Sequence, residues 1–337
     1  MNELNRNIRF LLDPHKESLP SNWKDIARYI DHHRYYHRLE DILQAHGKEI
    51  PDGIRAEIKN NYQEQLLKQL HLAKELQRIC ERLNEEELFF INMKGSMLAL
   101  QLYGKLSERL TRDIDFLIEE KDVDRFLTLL SGLGYDIIPA EKDKPEEYFR
   151  KIKKNYTLIN RERNIIIELH WGLFSNPYFY PQQESLKKAP EVEDLNGTPV
   201  RVMNRENSFL YLCMHGIYHE FFRLFWLRDI AEVMQKWDLD WSQIRKQTEE
   251  EGITRIIASS AILAGKIFNI PTPFDDLKND KTIRWIIHHN IRAINRTSQP
   301  DPADRLRRLH YFMKLRKEWN YKLECIWGVG KRFMLRM

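Results

Sequence analysis

Residues 91–119 read INMKGSMLALQLYGKLSERLTRDIDFLIE, and the order of patterns within this stretch decides the fold class. The apolar run 88–92 (LFFIN) predicts a short strand. Lys94-Gly95-Ser96 then predicts a turn that opens a helix from about Ser96. Asp113–Ile118 alternates acid with apolar residue at period two, which predicts a second strand with Ile114, Phe116 and Ile118 facing a core. Working outward, a helix is expected over Val123–Leu133 and a β-run at 134–138 (GYDII). Two more β-runs follow, at 155–160 (NYTLIN) and 164–171 (NIIIELHW). Arg163-Asn164 lies near the turn between them, which suits an antiparallel hairpin. Towards the N-terminus the pattern is helical, with Trp23, Ile26 and Ile30 in one stripe and Tyr62, Leu66, Leu70, Ala73 and Leu76 in another, separated by a turn at Ile50-Pro51-Asp52-Gly53. Beyond 199–203 (PVRVM) the chain is helical again. The expected class is α+β: a small mixed or antiparallel sheet within 86–203, flanked by helical regions at 1–85 and 204–337.

Composition bounds the rest. The chain has 337 residues, 42% hydrophobic and 31% charged, with only 13 Gly and 13 Pro. That excludes a collagenous, wholly disordered or disulfide-stapled protein. Cys80, Cys213 and Cys325 lie far apart without metal or redox spacing, which favours reduced thiols and a cytoplasmic location. No apolar run is long enough to predict a membrane span. The net charge of +4 is mild but uneven. From residue 305 to 337, ten Lys/Arg stand against Glu318 and Glu324, so this basic tail is a candidate surface for nucleic acid, an anionic peptide or a membrane. The alternative is a packed amphipathic helix. His32, His33 and His37, with Arg34 and Arg38, read as a solvated helical face, with a metal or RNA role as the alternative.

The chemistry-bearing residues cluster in the α/β part. Gly95 lets backbone amides and the Ser96 hydroxyl approach a phosphate at a helix start, although Ser96 as an ordinary helix cap explains the same residues. Asp113 and Asp115 share one strand face, where two like charges call for a screening cation; Mg²⁺, or Mn²⁺ in its place, suits oxygen ligands. Glu168 and His170 share a face of a later strand whose other side carries Ile167 and Leu169. Three acids with a phosphate-cradling turn form the inventory of a two-metal phosphoryl-transfer site. His215 and His219, four apart on an expected helix, suit zinc, packing or a substrate contact. The His-Glu-x-x-His pattern is absent.

The stretch 91–118, the motif 167–171 (IELHW) and the stretch 215–233 (HGIYHEFFRLFWLRDIAEV) resemble the uncharacterised nucleotidyltransferase-like proteins of bacteria, within the polymerase-β-like nucleotidyltransferase superfamily. The resemblance implies a palm-like sheet between helical regions and NMP transfer from an NTP with release of pyrophosphate. It implies that Asp113, Asp115 and Glu168 take the metal and base positions. Lys94, Gly95 and Ser96 would form the phosphate-binding turn, with Arg109 and Arg112 contacting phosphates and His170, His215 and His219 on the nucleotide or substrate side. Two departures stand out: the gap between Ser96 and Asp113 is longer than the superfamily's usual spacing, and Glu stands where a third Asp is commoner. The acceptor implied is a peptide, a glycan or a small molecule. Two other functions fit the same residues. Asp113-x-Asp115 suits the metal and diphosphate of a nucleotide-sugar donor in glycosyl transfer, and a non-catalytic, antitoxin-like binding module would retain the fold without turnover.

Overall fold

The computed structural model describes residues 3–17, 22–138, 145–174, 176, 178–297 and 305–334. Helices α1 (Arg6–Leu12), α2 (Trp23–His33), α3 (Leu39–His46) and the long α4 (Asp52–Glu85) come first. Then follow β1 (Phe90–Asn92), α5 (Ser96–Tyr103), β2 (Asp113–Ile118), α6 (Val123–Gly132), β3 (Asp136–Ile137), β4 (Asn155–Asn160), β5 (Ile165–His170), β6 (Glu191–Leu195) and β7 (Thr198–Val202). The C-terminal helices are α7 (Arg205–Tyr218), α8 (Leu224–Lys236), α9 (Trp241–Glu250), α10 (Thr254–Phe268), α11 (Lys281–Ile294), α12 (Arg305–Leu315) and α13 (Trp319–Met334). The class is α+β, as the alternation of patterns implies.

The chain forms two units. One comprises 63–177 and 182–208; the other comprises 1–62, 178–181 and 209–337. Helix α4 therefore passes from one unit to the other at Tyr62.

The first unit is built on a seven-stranded sheet of order β3-β4-β5-β2-β1-β7-β6. It is mixed: β2–β5 and β1–β7 pair in parallel, and the remaining neighbours are antiparallel. The β4–β5 hairpin turns at residues 161–164, where the Asn160 side chain accepts the Arg163 amide and Asn164 takes a positive φ. Asn196 and Gly197, both at positive φ, close the β6–β7 hairpin with the backbone that a two-residue turn requires. One sheet face is apolar. Ile114, Phe116 and Ile118 of β2 and Ile165, Ile167 and Leu169 of β5 pack with Leu72, Leu76, Ile79 and Leu83 of α4 and Val123, Phe126 and Leu130 of α6. The stripe expected on α4 holds at Ala73 and Leu76, which are buried, and departs at Leu70. Leu70 is 57% exposed and Leu72 fully buried, because the position of the sheet, rather than the local count of leucines, selects the face of this helix. The turn before α4 also ends earlier than expected, at Pro51, whose carbonyl accepts the Arg55 amide; Asp52 and Gly53 are already helical.

In the second unit, α10 is buried along nearly its whole length and packs against α8, α9 and α11, while α12 packs on α11 and α13. The histidines near Arg34 are not a solvated face. His33 is fully buried, and its Nδ1 accepts the amide of Leu224 at 3.1 Å, completing the start of α8, whose cap residue Arg223 makes no side-chain capping bond and donates instead to the His32 carbonyl. Burial pushes the His33 imidazole well below its usual range, and His37 falls to about 2 for the same reason. These rings are neutral, which a local polarity pattern does not reveal. No described helix is long and apolar enough to cross a membrane. The three cysteines form no disulfide and are buried, and burial raises the thiols of Cys80 and Cys213.

Candidate active site

The other sheet face is polar. The parallel register sets Asp115 of β2 opposite Glu168 of β5 and Leu117 opposite His170, so the alternation on both strands brings acid, acid and imidazole to one side. On β4, Thr157 pairs with Glu168 and Asn155 with His170, extending the polar face by one strand. Asp115, Glu168 and His170 each offer a donor atom within 4.8 Å of the others, and among the described residues no other such group of three metal-ligating side chains occurs.

Asp115 is buried, at 1% exposure, so its charge demands compensation. Lys94 Nζ stands 3.0 Å from Asp115 Oδ2, and His170 Nε2 stands 3.3 Å from Glu168 Oε2 and 3.8 Å from Asp115 Oδ1. These are charge contacts at close range without hydrogen-bond alignment: Asp115 Oδ2 and His170 Nε2 are both buried and make no directed bond. The titration directions follow from the geometry. Burial, with help from Asp113 and Glu168, raises Asp115 despite Lys94 and His170. The contact with His170 lowers Glu168 against the opposing effect of burial. Burial opposes a proton on His170, but Asp115 and Glu168 outweigh it and raise the imidazole. Two buried polar atoms without directed bonds, two carboxylates and an imidazole fit a divalent cation in chemistry and in spacing.

The turn before α5 is built around Gly95, whose φ of 75° and ψ of −134° suit glycine alone. Gly95 occupies the cap position. Ser96, expected as a cap under the plainer reading, is the first helical residue, and it is buried. Arg109 is also buried and directs Nη1 to the Gly95 carbonyl at 3.5 Å, whereas Arg112 is exposed. Asp113 lies two residues along the same face from Asp115, with Oδ1 accepting the Thr111 hydroxyl at 3.2 Å. The structure thus gathers Asp115, Glu168, His170 and Lys94, and sets Asp113 beside Thr111.

His215 and His219 belong to the other unit. Their rings lie tilted to each other at 4.7 Å, and against Trp226 His215 packs edge-on at 5.1 Å and His219 tilted at 5.4 Å.

One positioning residue escaped the sequence reading. Gln69 on α4 is buried and clasps the backbone of Thr111 in both directions, donating to its carbonyl at 3.0 Å and accepting its amide at 2.8 Å. This holds the approach to β2. The available signal was a polar residue in register with Leu72 and Leu76.

The model of a family described as uncharacterised nucleotidyltransferase matches residues 20–269. The chain belongs to this uncharacterised nucleotidyltransferase family. The match runs from just before α2 to the end of α10, so the whole polar face lies inside it, and α11–α13 lie outside. No curated protein and no solved structure matches the chain. Nucleotidyl transfer is the general chemistry to which the family's description points.

Proposed function

We propose that the protein transfers a nucleoside monophosphate from an NTP to a peptide, glycan or small-molecule acceptor, with the chemistry centred on the polar sheet face within 86–203. The observation that carries this reading is the convergence of Asp115, Glu168 and His170 from two parallel strands beside Lys94 and the Gly95 turn. Asp115 and Glu168, with His170 or Asp113 completing the set, would hold Mg²⁺ or Mn²⁺; the imidazole inclines the choice towards Mn²⁺. Such a cation neutralises a polyphosphate and acidifies a bound hydroxyl.

The chain's own residues supply the rest. Lys94, now beside Asp115, turns its ammonium to the donor phosphates. Backbone amides at the start of α5 receive a phosphate oxygen, and Arg112 adds charge from solvent. Glu168, held ionised beside His170, accepts the acceptor's proton. The third carboxylate favours this chemistry over glycosyl transfer, for which the Asp113-x-Asp115 pair would suffice.

The test incubates the protein with each NTP and Mg²⁺ or Mn²⁺ and follows pyrophosphate release and product mass. Addition of a nucleotide monophosphate, lost in Asp115→Asn, supports the reading. Addition of a hexose from a sugar nucleotide replaces it with glycosyl transfer.

A further inference from the structure

A surface helix normally turns apolar residues inward and polar ones outward, and α13 departs from this rule. Its inner side is conventional: Tyr321 and Cys325 are buried, and the Tyr321 hydroxyl donates to the Phe312 carbonyl at 2.8 Å. Its outer side is apolar. Trp319 is 73% exposed, Leu323 61%, Ile326 51% and Trp327 55%. Spacings of four, three and one place these four in a single stripe opposite Tyr321.

The segment that carries the stripe is basic. Within 305–337, Arg307 and Arg308 pair with the buried Glu220, and Arg316 pairs with Glu318. Lys317 and Lys322 stand at the start of α13 against Glu324, and the sequence beyond Trp327 adds Lys331, Arg332 and Arg336. Lys322 Nζ lies 5.1 Å from the Trp319 ring, at the edge of the stripe.

We propose that α13 docks on an anionic lipid surface, with Trp319, Leu323, Ile326 and Trp327 entering the boundary between headgroups and acyl chains and the lysines meeting the headgroups. Two tryptophans and two aliphatic residues on one face, flanked by cations, are the makeup of a helix that lies in the membrane plane. The competing occupants fit less well. A second copy would bring two basic segments together. A nucleic acid would gain stacking from the tryptophans, but Leu323 and Ile326 offer no ring to a base. The described part of α13, interrupted by Lys322 and Glu324, is not apolar enough to cross a bilayer, which suits a helix lying on the surface. This inference does not rest on the proposed reaction.

The full chain is tested by co-sedimentation with vesicles of phosphatidylcholine alone or mixed equally with phosphatidylglycerol, and by tryptophan emission. The expected result is sedimentation about tenfold stronger with the anionic vesicles, weakened by salt, with a blue shift of emission. Leu323→Glu with Ile326→Glu should abolish both without altering the thermal midpoint. Lys317→Glu with Lys322→Glu, which leaves the apolar face intact, should abolish the preference for anionic lipid. Equal sedimentation with neutral vesicles, no sedimentation, or a double glutamate variant that sediments like the wild type overturns the proposal. A wild-type dimer that this variant dissociates, without lipid binding, assigns the stripe to self-association instead.

Discussion

Asp115 is a carboxylate buried in a sheet, a placement that survives only with compensating charge, and Lys94 and His170 supply it. Replacing it by Asn keeps the shape and removes the charge. Turnover should fall on the order of 10²–10³-fold or more while circular dichroism stays native; a variant with a near-normal rate would take Asp115 out of the mechanism. Asp113→Asn separates the two aspartates. Its Oδ1 already accepts from Thr111, so a loss as large as that of Asp115→Asn would make it a ligand in the working enzyme, and a small loss a positioning residue. Gln69 acts further back. Gln69→Leu leaves the Thr111 amide and carbonyl buried without partners, and should lower stability by roughly 1–3 kcal/mol by urea titration. Activity should fall beyond what the lost stability explains, because Thr111 in turn holds Asp113.

Helix α5 begins where it does because Gly95 bends the chain into a region that side-chain-bearing residues avoid. A methyl group there would meet nothing closer than the Asp113 carbonyl at 3.8 Å. Gly95→Ala is therefore expected to act through backbone strain, at about 1–3 kcal/mol, and to weaken donor binding more than it slows folding; unchanged NTP affinity would argue that the turn touches no phosphate. A second junction lies at the end of α7. Glu220 is fully buried and holds His289 of α11 at 2.7 Å and Arg307 and Arg308 of α12 at 3.1 and 2.8 Å, beside Tyr311. Burial alone raises this carboxyl, but His289, Arg308 and Arg307 prevail and hold it below its usual range. Its contribution is therefore fully present above the unfolded carboxylate value near 4.5 and is lost as pH falls through the lower folded value. Glu220→Gln should cost about 3–5 kcal/mol at neutral pH, since it strands two guanidinium groups. The gap to wild type should narrow in acid, and urea midpoints across the acid range would check both signs.

At the scale of the whole molecule, donor binding must register as stability. An NTP at 100 times its dissociation constant should add ~2.7 kcal/mol with Mg²⁺ or Mn²⁺ present. Asp115→Asn should remove the shift, and a panel of NTPs and sugar nucleotides in a thermal-shift assay distinguishes the donors. Much of this architecture was legible in the chain. Alternation in Asp113–Ile118 and Ile165–His170 sorted apolar from polar faces, Arg163-Asn164 marked a hairpin, and the Lys94-Gly95-Ser96 turn stood where a strand hands over to a helix. These readings are local, and neighbouring backbone geometry enforces them. Residues far apart in sequence escaped: Gln69 on Thr111, His33 on Leu224, the choice of Leu72 over Leu70 on α4, and the apolar outer side of α13. By itself the sequence determined which side chains share a strand face, because period two is a property of the backbone. Only the tertiary structure decided that β5 lies parallel to β2 with Glu168 opposite Asp115, because the register of two distant strands is set by long-range hydrogen bonding and by the packing of Phe116 and Ile167 beneath them.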